Sequence, residues 1–198
     1  MKRKKIYILV VEGKTEVQYF SQLNQMPEIK DSDLYFKVEA AGGHTPSQVR
    51  FAWKNANKKY AQRDKSSVRI TLLDKDVFSR KGNKLAIKDY PQNDGIYFSL
   101  LNFEDFLVQH LSCDEVKNWK NICKTKNHFS VPLVEDVYIP LLKQYVWNNY
   151  DKANLPIELN LSYLNRLKQN VANNVFCQSN SNDFRTWFLN VLKHHNII

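Results

Sequence analysis

Four acidic residues of this 198-residue chain lie within three positions of the ends of β-rich apolar runs: Glu12 after Ile6–Val11, Asp74 and Asp76 after Val68–Leu73, and Glu104 after Gly95–Leu101. Runs of this kind, bounded by polar or glycine-containing segments, read as buried strands. Parallel α/β sheets bind ligands outside the carboxyl ends of their strands, so these acids are expected at one functional edge. Carboxylates brought together repel one another unless a cation or a proton compensates, and hard oxygen donors suit Mg2+ or Mn2+. Taken singly, each acid is more often a solvated loop residue or a helix cap; the joint placement points to a metal site. Glu16 lies one helical turn after Glu12 on the same face, either as a further acid around the metal or as a favourable charge near a helix N-terminus.

The elements that must position these acids alternate along the first half. Strands are expected at Ile6–Val11, Leu34–Ala40, Val68–Leu73 and Gly95–Leu101. Between them, Thr15 opens a helix carrying Val17, Phe20 and Leu23 at helical spacing, and Thr45-Pro46 opens a second that runs to about Arg63. That second helix reads as amphipathic, with Phe51, Trp53, Ala56 and Tyr60 alternating with Lys54, Lys58, Lys59 and Arg63. Alternation of this type predicts a mostly parallel sheet flanked by helices over residues 1–101. From residue 102 the spacing turns helical, with helices expected at Phe103–Leu111, Asp114–Cys123, Glu135–Tyr150, Glu158–Val175 and Asp183–His195. Residues 102–198 are therefore read as a helical extension packed on the α/β core in one compact unit.

Composition narrows the function classes. At 43% hydrophobic and 25% charged residues the chain is globular rather than disordered, and its longest apolar run falls far short of the roughly 20 residues of a membrane span. The basic start followed by Ile6–Val11 imitates a signal peptide until Glu12, Lys14 and Glu16 interrupt it, so a cytoplasmic protein without a membrane partner is expected. Cys113, Cys123 and Cys177 form no Cys-x-x-Cys pair and suit reduced thiols. Net charge is +9, with 19 Lys/Arg against 11 Asp/Glu in residues 1–100. Between Lys54 and Lys88 the count is eleven Lys/Arg against three acids, which favours a polyanionic partner tracked by Lys54, Lys58, Lys59, Arg80 and Lys81. Lysine-rich composition drift is the plainer account of the same excess. Trp53, Tyr60 and Phe78 are possible base-stacking residues, although aromatics at helical spacing are more often core.

Rival motifs fare less well. Gly13-Lys14-Thr15 lacks the first glycine of a phosphate-binding loop, since position 8 is Ile8. His110, Cys113, Cys123 and His128 have zinc-ligand types at spacings that fit no zinc module, and buried structural roles are expected. Leu73-Asp74-Lys75-Asp76-Val77 is similar to the nucleophile motif of haloacid-dehalogenase-type phosphatases, with Asp74 attacking and Asp76 as acid/base, and this stands as the alternative enzyme. A catalytically silent subunit that binds nucleic acid or protein is the alternative outside catalysis.

Val10-Val11-Glu12-Gly13-Lys14-Thr15-Glu16 resembles the first motif of TOPRIM domains, and Leu72-Leu73-Asp74-Lys75-Asp76 resembles their Asp-x-Asp motif. The finer resemblance is to RloB-like proteins, a TOPRIM branch near the OLD-type nucleases. Their Glu-Gly-x-Thr-Glu-x-x-Tyr-Phe pattern is matched from Glu12 to Phe20, their Ser-x-x-x-Phe-Glu and later His by Ser99, Phe103, Glu104 and His110, and their Tyr-x-Lys by Tyr150 and Lys152. Leu100-Leu101 stand where the branch usually has Asn-Pro, and Phe106 where tryptophan is common. The resemblance implies a TOPRIM-type α/β fold and a Mg2+- or Mn2+-dependent endonuclease, with Glu12, Asp74 and Asp76 holding metal and Glu104 as a further acid. It also implies a role in bacterial or phage defence beside a separately encoded ATPase of the ABC/AAA type. RNA is placed slightly ahead of DNA as substrate. Lys14 would contact the scissile phosphate in this scheme, or be simply an exposed turn lysine.

Overall fold

The computed structural model describes all residues except 1–3, 62–66, 80–83, 153, 174 and 177–181. Its centre is β1 (Lys5–Val11), paired on one side with β2 (Leu34–Ala40) and on the other with β3 (Val68–Leu73), beyond which lies β4 (Ile96–Phe98). Every pairing is parallel. β-branched residues suit this position: Tyr7 to Val11 are all buried, because a central parallel strand is covered on both faces.

The order β2-β1-β3-β4 decides where a ligand can enter. The chain leaves β1 toward β2 at one side and leaves β3 toward β4 at the other, so the connections diverge between β1 and β3. A crevice opens at such a switch point, at the carboxyl ends of the two strands.

Alternate side chains of β1 feed two cores. Ile8 and Val10 pack with Val49, Ala52, Trp53 and Ala56 of α3 (Pro46–Ala56), whereas Tyr7, Leu9 and Val11 join the larger cluster on the other face. That cluster takes Tyr19, Phe20 and Leu23 from α1 (Lys14–Gln25) and residues from most of the second half. Its contributors are α5 (Phe103–Val108), α6 (Cys113–Thr125), α7 (Glu135–Tyr145), α8 (Leu161–Ala172) and α9 (Phe184–His194). Phe106 and Phe188 are wholly buried in it, and each fully buried side chain of this size contributes about 1.5–3 kcal/mol. The 102–198 helices thus share a core with the sheet.

Local chemistry sets the element ends. Thr45 and Gln48 form a reciprocal capping box at α3 with Pro46 in its first turn, and Ser112 with Glu115 does the same for α6. Several ends differ from the sequence reading. The second helix keeps α geometry only to Ala56 and widens into a π turn over Asn57–Ala61, and Arg63 lies outside the described residues. The fourth strand pairs only over Ile96–Phe98, the last helix but one starts at Leu161 because Asn160 caps it, and α7 ends at Tyr145. Pro27 starts an unforeseen short helix, α2 (Pro27–Asp31), since the residue before proline, Met26, is held extended. A further single turn, α4 (Asp76–Ser79), follows β3. No helix among the described residues is long and apolar enough to cross a membrane.

Candidate functional site

Glu12 leaves β1 and Asp74 leaves β3, so both lie at the switch point. Oε1 of Glu12 accepts the backbone N–H of Asp74 at 2.6 Å, a bond that crosses from one strand end to the other. The Ser99 hydroxyl, just past β4, donates to Oδ1 of Asp74. Glu16, in the first turn of α1, and Glu104, in the first turn of α5, are both buried and line the same cavity of about 330 Å³ as Glu12 and Asp74. Gly13, Gly42 and Gly43 form part of its wall. Gly42 and Gly43 have φ of +70° and +151°, which favour glycine, and a Cβ on Gly43 would collide with the Gln48 side chain. The Gly43 N–H donates to the Glu12 carbonyl at 3.1 Å, tying this loop to the turn after β1.

The second half closes the cavity. Tyr150 donates its hydroxyl to Oε1 of Glu104 at 2.6 Å, and Lys152 lines the wall while its ammonium pairs with Glu135 at 3.1 Å. The Thr15 hydroxyl donates to the Lys152 carbonyl at 3.0 Å, fastening that segment to α1.

Packing four carboxylates together has an electrostatic cost that appears in their pKa values. Burial, with Glu16 and Asp76 adding repulsion, pushes Glu12 up to about 8 against a lowering by the Asp74 N–H. Burial and then Glu104 push Glu16 up to about 7, although the Gly13 N–H favours its charged form. Asp74 is held well above the usual carboxylate range by burial and by Glu12, Glu16 and Glu104, and Glu104 is raised by burial. Burial works against the charge on Lys152, but Glu104 and Glu135, with Asp74, raise it overall.

The donor set fits a hard divalent cation. All four groups offer oxygen, and their mutual repulsion is relieved by positive charge. No three of them bring ligand atoms within 4.8 Å of one another, so a cation here would take at most two of these carboxylates directly and complete its shell with water.

Of the residues proposed from sequence, Glu12, Glu16, Asp74 and Glu104 come together. Asp76 does not line the cavity; it is buried at the start of α4, where its N–H donates to the Leu101 carbonyl, and its charge is felt by Glu12. Lys14 is exposed at the start of α1 outside the cavity lining. Lys54 and Lys58 are exposed, Lys59 is exposed but paired with Glu39 at 2.6 Å, and Arg80 and Lys81 lie outside the described residues. Ser99, Tyr150 and Lys152 carried no assigned role in the sequence reading beyond a pattern match, because nothing in their spacing indicates which acids they meet.

Of the four zinc-type residues, His110, Cys123 and His128 are buried as expected, whereas Cys113 is only half-buried. His110 belongs to no group of metal-ligand atoms among the described residues and has its Nε2 2.9 Å from the Tyr19 hydroxyl. His128 and Cys123 instead meet Asp105, and among the described residues only these three place metal-ligand atoms within 4.8 Å of one another. That trio is already closed by hydrogen bonds. Asp105 Oδ1 accepts from Trp119 at 2.9 Å and from Tyr138 at 3.0 Å. Leu133 N–H donates to His128 Nδ1 at 2.9 Å, which leaves Nε2 to carry its proton toward Asp105 Oδ2 at 3.3 Å.

No family model, curated protein or solved structure matches the chain.

Proposed function

We propose that this protein is a metal-dependent nuclease of TOPRIM type that hydrolyses phosphodiesters of nucleic acid. The observation that carries the reading is the Glu12–Asp74 bond at the switch point, with Glu16 and Glu104 on the same cavity. Mg2+ or Mn2+ held by Glu12 and Asp74 would neutralise charge on the attacked phosphate and activate a water. Glu16 and Glu104 surround that pair, and Ser99 and Tyr150 fix the orientation of Asp74 and Glu104. Glu12, pushed up to about 8, exchanges a proton near neutral pH, so cation entry is linked to proton release. Lys152 contributes a cation at the wall that suits a phosphate oxygen. The basic first half, 19 Lys/Arg against 11 acids, suits a nucleic-acid substrate, RNA before DNA, and an ATPase encoded separately belongs to the same proposal.

The deciding experiment compares wild type with Asp74→Ala and Glu12→Gln on single-stranded RNA, structured RNA, DNA and p-nitrophenyl phosphate, each with Mg2+ or Mn2+ and with or without a candidate ATPase. Loss of strand cleavage in both variants supports the nuclease. Monoester hydrolysis that dies with Asp74→Ala and survives Glu12→Gln would indicate a phosphatase of haloacid-dehalogenase type. Wild type that cuts nothing under any condition would make the protein a binding subunit.

A further inference from the structure

The sequence pattern put Phe51 on the apolar side of its helix, but the structure turns it outward. Val49, Ala52, Trp53 and Ala56 form the buried face of α3, with the Trp53 indole N–H donating to Thr71 Oγ1 at 2.8 Å. At 100° per residue, Phe51 falls on the opposite side from those four, and it is 65% exposed. Ser47, Phe51, Lys54 and Lys58 follow one another at spacings of four, three and four, so they form one outward stripe. No Asp or Glu occurs between Pro46 and Ala61, while Arg50, Lys54, Lys58 and Lys59 do. Lys54 and Lys58 have no ion-pair partner among the described residues. The stripe begins just after Gly42 and Gly43, which line the acidic cavity.

We propose that this stripe, running along α3 into the π turn after it, is a platform for single-stranded nucleic acid, with a base stacked on Phe51 and phosphates on Lys54 and Lys58, leading the strand toward the cavity. A lone aromatic flanked by cations is too small an apolar area for a protein partner, whereas one ring face and two ammoniums match one base and its neighbouring phosphates. A duplex keeps its base faces stacked on each other, so only an unpaired strand can offer one to Phe51. This platform rests on the nuclease reading of the cavity for its purpose but not for its binding chemistry.

The test is fluorescence anisotropy in EDTA, using labelled oligo-uridylate and oligo-thymidylate strands of about 20 nucleotides and a duplex of equal length. Phe51→Ala and Phe51→Leu should each weaken single-strand binding about tenfold and leave duplex binding unchanged, while Phe51→Trp keeps it. Lys54→Gln should lower the salt slope for single strands by about 0.7. Thermal melting serves as the folding control, since a side chain this exposed supports little of the core. Unchanged single-strand affinity in Phe51→Ala, or an equal loss on duplex, overturns the platform. Wild type that binds in the expected pattern yet cuts nothing with Mg2+ or Mn2+ supports the platform and removes the nuclease reading. Wild type that cuts while Phe51→Ala binds single strands normally overturns the platform alone.

Discussion

The Glu12 carboxylate accepts the Asp74 backbone N–H at 2.6 Å, joining the turn after β1 to the turn after β3 where the sheet's connections diverge. One side chain thereby has two duties, as an acid of the cavity and as a latch between strand ends. Glu12→Gln keeps an oxygen for that N–H and, above pH 8, removes a repelling charge, so there the metal-free variant should melt at or above wild type. Glu12→Ala strips the N–H of its acceptor and should lose about 1–3 kcal/mol. Chemical denaturation of both variants checks this, and equal stability of the two would show that the latch contributes nothing.

The raised carboxylates make the metal-free protein sensitive to alkali. Glu12 and Glu16 titrate near 8 and 7 when folded against ordinary values near 4.5. The folded state therefore binds more protons in that window, and this contribution, full below pH 4.5, is lost as pH rises through 7 to 8. Melting in EDTA should fall from pH 5 to 8.5, with a shallower fall in Glu16→Gln. Mg2+ or Mn2+ should raise the melting temperature more at pH 8.5 than at pH 5.

His110 gives the opposite slope. Burial pulls it down to about 4, although the Leu107 and Phe106 carbonyls favour its charged form. Its contribution is full above pH 6.5 and is lost as pH falls toward 4, because the unfolded chain then binds the proton the folded chain refuses. Between pH 7.5 and 4.5 wild type should lose about 2–3 kcal/mol relative to His110→Gln. Urea titrations at the two pH values measure it, and a pH-independent difference would refute the assignment.

Asp105, Cys123 and His128 are expected to act as a structural knot. Asp105→Ala leaves the Trp119 and His128 N–H groups without their acceptor and should cost about 3 kcal/mol or more. Zn2+ should leave the melting temperature unchanged. A Zn2+-dependent rise that Cys123→Ser abolishes would make the trio a metal centre instead.

The parallel core and the acids at its edge were legible in the sequence. Short apolar β-branched runs bounded by turn residues read as interior strands, and the turns after them carry Glu12 and Asp74 whatever the rest of the chain does. Thr45-Pro46 likewise marked a helix start, because capping and proline act within one turn. Strand order was not local information. It was set when alternate faces of β1 found their separate cores, and this placed Glu12 beside Asp74 and left Asp76 aside in the next turn. Tyr150 and Lys152 reach the cavity only because the 102–198 helices pack on the Tyr7, Leu9 and Val11 face. Phe51 stays outside for the same reason: an aromatic at helical spacing is core only if its own angle faces the sheet, and Val49, Ala52, Trp53 and Ala56 occupy that side. Burial against distant partners, which no short window of sequence contains, decided which acids share a cavity and which aromatic stays in water.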